Sequence, residues 1–111
     1  MELKFAILGA GRIGIVHAQA IRTISGAKLV AMAETSEKAA KSAQLAFGCD
    51  LRSIDQIAES PDIDAVIICT PTDTHADLIE KFAMAGKAIF CEKPIDLDEY
   101  LSITTIKYSL S

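Results

Sequence analysis

Apolar positions along this chain follow two alternating rhythms. Leu3–Leu8 is a continuous apolar run broken only by Lys4, the pattern of a strand buried on both faces. Lys28–Ala33, a short Cys49–Leu51 segment, Ala65–Cys69 and Ala88–Cys91 repeat that pattern. Ala65–Cys69 is β-branched and uncharged and is the clearest of them. Between these runs the spacing becomes helical. Ile13, Val16, Ala20, Ile21 and Ile24 form one stripe of a helix over Ile13–Ile24, with Gly26 as its stop. Ser36 is placed to cap an alanine-rich helix ending at Phe47, before Gly48. Ser53-x-x-Gln56 reads as a capping box for a brief helix closed by Ser60-Pro61. Thr74-x-x-Asp77 predicts the start of another helix, running through Ala85 to Gly86, and Asp96-x-x-Glu99 opens a last one. Five strands alternating with helices imply right-handed crossovers. The expected fold is therefore α/β, a doubly wound parallel sheet with helices on both faces. No repeat or low-complexity linker interrupts it.

Composition narrows the picture. The chain has 111 residues, which suits one domain. With four Phe, two Tyr and no Trp, aliphatic side chains and alanine must build the core. The formal charge is −4 and no run of Lys or Arg occurs, so duplex nucleic acid and anionic membranes are poor partners. The longest apolar runs are strand-sized and too short to cross a bilayer. The N-terminus shows no signal-peptide pattern. Three cysteines without Cys-x-x-Cys spacing read as reduced thiols in a cytoplasmic protein, and with two histidines they show no zinc-ligand spacing.

Candidate chemistry begins at Gly9-Ala10-Gly11-Arg12-Ile13-Gly14, a G-x-G-x-x-G between strand and helix. Glu34 stands twenty positions beyond Gly14, at the end of the second strand. Gly9 permits a tight turn, Gly11 lets backbone approach a pyrophosphate, and Gly14 lets helix pack on strand. The helix N-terminus offers free N–H groups and a partial positive charge to the phosphates. Glu34 is suited to accept hydrogen bonds from adenosine ribose hydroxyls, and its charge repels a 2′-phosphate. Thr35 and Ser36 follow it rather than an arginine, which favours NAD over NADP, although Lys38 adds a cation nearby. Arg12 either lies over the phosphates or points to solvent. His17 reads as a helix residue packing beside the loop.

Two further segments belong at the carboxyl ends of strands, where open α/β sheets bind ligands. In Cys69-Thr70-Pro71-Thr72-Asp73-Thr74-His75, Thr70 and Pro71 would wall the nicotinamide half of a cofactor. His75 either reaches ribose or substrate or is simply a polar helix-start residue. After the fifth strand comes Glu92-Lys93-Pro94, where the proline holds Lys93 extended and stiffens the position of its ammonium.

Together these motifs, with His17 and the Cys91-Glu92-Lys93-Pro94 segment, resemble the N-terminal domain of the glucose–fructose oxidoreductase/inositol dehydrogenase family from Met1 to about Asp98. The resemblance implies a Rossmann-type fold and oxidation of a CH–OH group on a polyol such as myo-inositol. It makes Lys93 the catalytic residue that touches the reacting hydroxyl. The candidate cofactor contacts are Gly9, Gly11, Arg12, Ile13, Gly14, Glu34, Thr70, Pro71, Thr72, His75 and Glu92. In that family an Asp-x-x-x-His pair belongs to a second domain. Residues 99–111 differ in character from the family's continuation as it reads from sequence, so the expected organisation is a dinucleotide-binding domain over 1–98, a divergent tail, no second domain and no polyol turnover alone. A non-catalytic NAD-binding module and a remnant that self-associates remain as alternatives. The outer edge of the fifth strand is expected to be covered by the Tyr100–Ser111 tail or by a homodimer.

Overall fold

The inner strands form where the apolar runs lie, because their carboxyl-terminal halves are buried from both sides. The computed structural model describes residues 2–92 and 104–108. Strands β1 (Leu3–Leu8), β2 (Ala27–Ala33), β3 (Asp50–Leu51), β4 (Ala65–Ile68) and β5 (Ala88–Glu92) pair in parallel. Strand β6 (Thr104–Tyr108) lies antiparallel on β5, giving the order β3-β2-β1-β4-β5-β6. The central strand β4 is fully buried. Helices α1 (Arg12–Thr23) and α2 (Glu37–Phe47) cover one face through Ala18, Ile21 and Ala43, against Ile7, Met32 and Ile67. Helices α3 (Ile54–Glu59) and α4 (His75–Met84) cover the other through Ile57, Leu78 and Phe82, against Leu8, Val66 and Ile89. This is a Rossmann-like α/β fold, and β1 and β4 flank the point where the strand order reverses.

The local signals act as the chemistry requires. The Ser36 hydroxyl accepts from the Ala39 N–H at 3.3 Å, and Gly48 closes α2 with a φ of +67°. Both arms of the Ser53 capping box form: the Gln56 N–H donates to Ser53 Oγ at 3.1 Å, and the Ser53 N–H donates to Gln56 Oε1 at 2.8 Å. Such caps contribute about 1 kcal/mol each.

Two expectations are corrected. Of the apolar stripe of α1 only Ile21 lies on the core face: Ile13, Val16 and Ile24 are 43%, 53% and 55% exposed, while Gly14 and Ala18 are buried beside Ile21. Small residues win the buried side because the helix sits close to the glycine turn and the sheet. Thr74 precedes α4 but does not cap it with its side chain. A single 3-10 turn, Thr72–Thr74, comes first, and the Thr74 hydroxyl donates back to the Pro71 carbonyl at 2.6 Å. The helix expected from Asp96 lies outside the described residues. The open edge of β5 is taken by Thr104–Tyr108, the first of the two coverings expected there.

Candidate functional site

The carboxyl ends of β1, β2 and β4 meet at one edge, and three turns leave them. The first is the glycine turn. Gly9 has a φ of +100°, a left-handed conformation that side chains rarely adopt, and a Cβ there would meet the Cys69 carbonyl oxygen at 3.0 Å. Gly14 is buried, and a Cβ on it would overlap the Gly9 carbonyl oxygen. Its role is close packing of α1 under the turn. Gly11 differs from both, for a Cβ there meets nothing within 4 Å. It caps α1 without a side chain, and the first helical bond runs from the Ile15 N–H to the Gly11 carbonyl at 3.0 Å. The preceding N–H groups therefore face outward with the positive end of the helix dipole. An anion is the natural complement of such a terminus.

The second turn carries Glu34 at the end of β2. Its Oε1 accepts from the Ala10 N–H at 2.6 Å, and its Oε2 accepts from the Ser36 N–H at 2.8 Å. The carboxylate thus ties the glycine turn to the start of α2. Burial pushes its pKa upward, but the N–H groups of Ser36, Ala10 and Thr35 together outweigh that and hold it below its ordinary value. It stays charged at neutral pH, fixed in place beside the groove.

The third turn follows β4. Thr70 Oγ1 and Thr74 Oγ1 are 2.6 Å apart, and Thr74 also donates to the Pro71 carbonyl. His75 is 7% exposed. Its Nε2 lies 2.8 Å from the Thr70 carbonyl and its Nδ1 lies 3.0 Å from Cys91 Sγ on β5. Both ring nitrogens therefore face partners within the chain, and the ring is tied to the groove through Thr70.

The turns enclose a groove of about 760 Å³. Gly9, Gly11, Glu34, Thr70 and Pro71 all line it, so five of the expected residues converge. Arg12 and Ile13 are exposed on the first turn of α1. Thr72 and Glu92 are placed by their backbones, in the 3-10 turn and at the end of β5. Lys93 lies outside the described residues.

One wall was missed by sequence reasoning: Leu51, Arg52, Ser53, Ile54 and Asp55, at the turn from β3 to α3. Arg52 holds it in place. Its guanidinium donates to Asp62 at 2.9 and 3.1 Å, to Asp50 at 2.9 Å and to Ser60 Oγ at 3.0 Å. Only the spacing Asp50-x-Arg52 hinted at this; Asp62 arrives through the fold.

The donor set fits a dinucleotide: free N–H groups at the start of α1 after Gly11, a carboxylate fixed by the Ala10 and Ser36 N–H groups, and a threonine–proline wall. A family model described as an oxidoreductase family with an NAD-binding Rossmann fold matches residues 3–107. An inositol 2-dehydrogenase of Rhizobium meliloti is 62% identical over 98 residues, covering 88% of this chain and 30% of that protein. A scyllo-inositol 2-dehydrogenase (NAD(+)) of Bacillus subtilis is 43% identical over 99 residues, covering 86% and 29%. A biliverdin reductase from Synechocystis, solved with biliverdin and NADP+, superposes with a TM-score of 0.80 at 27% identity, covering 86% and 30%. The chain thus spans about 30% of the length of these relatives.

Proposed function

This chain belongs to the Gfo/Idh/MocA oxidoreductase family as its NAD-binding Rossmann domain, and we propose that its groove takes NAD in preference to NADP and serves the oxidation of a CH–OH group on a polyol such as myo-inositol. Glu34 carries the cofactor preference. Its carboxylate is charged and held by two backbone N–H groups, so it cannot swing away from a 2′-phosphate without giving both up. A relative named for NAD(+) supports the same choice. Calorimetric titration with NAD and NADP tests it: NAD should bind more tightly, and Glu34→Ala should narrow the ratio. An unchanged ratio would place the selectivity elsewhere.

The polyol is inferred from relatives named as inositol dehydrogenases. When bound, the nicotinamide supplies the redox chemistry by taking up hydride. Lys93 is the proposed catalytic residue, because in sequence it directly follows β5, which runs parallel to β4, the strand that leads into the Thr70 wall of the groove. A lysine of ordinary pKa, about 10.4, is protonated at neutral pH and is a weak base by itself. The 111-residue chain is therefore proposed to bind cofactor without polyol turnover. An NADH-absorbance assay with myo-inositol at pH 7 to 9, comparing wild type with Lys93→Ala, decides this. Lysine-dependent turnover would refute it.

The domain division 1–98 and 99–111, and a cytoplasmic location, are carried as part of the same proposal. Among the described residues no helix is long and apolar enough to cross a membrane. For assembly the β5 edge admits two solutions. The backbone groups that pair with β6 cannot also pair with a second copy, so a homodimer through this edge requires β6 to leave.

A further inference from the structure

The network behind Thr70 has a direction, set by how many protons each group carries. A threonine hydroxyl has one proton. Thr74 gives its own to the Pro71 carbonyl, so the 2.6 Å contact between the two hydroxyls requires Thr70 to donate to Thr74. The Thr70 carbonyl can only accept, so His75 Nε2 must carry a proton toward it. The other ring nitrogen, 3.0 Å from Cys91 Sγ, is then placed to accept the thiol proton. Both chains end on residues of the groove wall. On the opposite side, Gly9 closes against the Cys69–Thr70 peptide, where even one added carbon would crowd it. Thr70 is thus gripped by Gly9, Thr74 and His75, and through His75 it is tied to the end of β5.

We propose that His75 is a positioning residue for cofactor binding: its Nε2–H holds the Thr70 wall of the groove in register with the carboxyl end of β5. The inference rests on the reading of the groove as a NAD site. His75 never touches the ligand. It holds the Thr70 carbonyl, while Thr74 takes the Thr70 hydroxyl proton, leaving the Thr70 hydroxyl oxygen as an acceptor for a ligand hydroxyl or amide donor.

Asn and Gln substitutions separate this role from a generic polar residue at a helix start. The Gln amide nitrogen sits where Nε2 does and can donate to the Thr70 carbonyl; the Asn amide stops at the place of Nδ1. The 111-residue chain and its His75→Gln, His75→Asn and His75→Leu variants would be titrated with NAD by calorimetry, with circular dichroism to confirm folding. We expect His75→Asn and His75→Leu to bind about tenfold more weakly, the scale of one lost hydrogen bond at a buried carbonyl. His75→Gln should stay within about threefold of wild type, since that bond survives. Nitrogen-15 NMR of the wild type should show the Nε2–H tautomer. Equal affinities for the Asn and Gln variants, wild-type affinity in a folded His75→Leu, or the Nδ1–H tautomer would each overturn the proposal. If His75→Leu fails to fold, the Asn and Gln pair decides alone. Absence of NAD binding by the wild type would instead remove the cofactor reading, and this inference with it.

Discussion

Gly11→Ala separates the needs of the ligand from the needs of the fold. Gly11 has φ −74° and ψ −167°, which any residue adopts, and its surroundings are open. Nothing in the folded chain requires a glycine there. Alanine is a poorer N-cap than glycine by a few tenths to about 1 kcal/mol. It also restricts the unfolded chain, which returns about 0.4–1 kcal/mol. The two nearly cancel, so the melting temperature should move by no more than about 4 °C. Cofactor binding is another matter. The methyl group stands in front of the outward N–H groups at the start of α1 and holds a pyrophosphate off them. Each charge-assisted bond lost is worth about 1.5–3 kcal/mol, so losing two weakens NAD by about 100-fold or more. Gly11→Val, which is bulkier, should abolish binding. The assays are thermal melting and calorimetry on the same preparations. Gly14→Ala is the internal contrast: its Cβ would overlap the Gly9 carbonyl, and overpacking of this kind costs about 1–3 kcal/mol or more, with a fall in melting temperature of roughly 8 °C. A Gly11→Ala chain that binds NAD as wild type does would refute the phosphate-loop assignment. One that unfolds would refute the claim that the ligand alone needs this glycine.

Three other outcomes are expected. Glu34 has a folded-state pKa below its ordinary value of 4.5, so it contributes stability above that pH and loses it as pH falls through the folded value; Glu34→Gln should flatten the acid limb of a stability–pH curve below about pH 4.5, and an unchanged limb would contradict its ties to Ala10 and Ser36. Lys87 is buried, with Nζ donating to the Ser60 and Ile63 carbonyls at 2.7 and 2.8 Å; Lys87→Met should destabilise the chain by about 2 kcal/mol in urea unfolding, because two carbonyls lose their donor, and a neutral effect would show that water replaces it. Sedimentation should find a monomer if β6 stays on β5, whereas a Thr105→Pro/Ile106→Pro variant, which removes one N–H that faces β5 because the two residues alternate in the antiparallel ladder, should weaken that pairing and raise the dimer fraction; a monomer in both would remove the homodimer through this edge.

The sequence by itself determined the elements and the loop chemistry. Apolar runs, the Ser36 and Ser53 caps and the spacing from Gly9 to Glu34 act over short distances, so they read from neighbours alone. They located the strands of the parallel sheet and, with the family resemblance, named the five residues that line the groove together. What tertiary structure decided was every relation between residues far apart in the chain. The core face of α1 is one such case: hydrophobic spacing favoured Ile13, Val16 and Ile24, yet the closeness demanded by Gly14 against Gly9 turned the small residues inward. Thr74 is a local exception: it looked like a cap, but Thr70 and Pro71, only four and three residues before it, claim its hydroxyl in the 3-10 turn. His75 could not be assigned until β5 brought Cys91 beside it, and Arg52 had no visible purpose until Asp62 folded back onto it. Buried side chains find their partners across the fold, and linear spacing carries no information about which partner arrives.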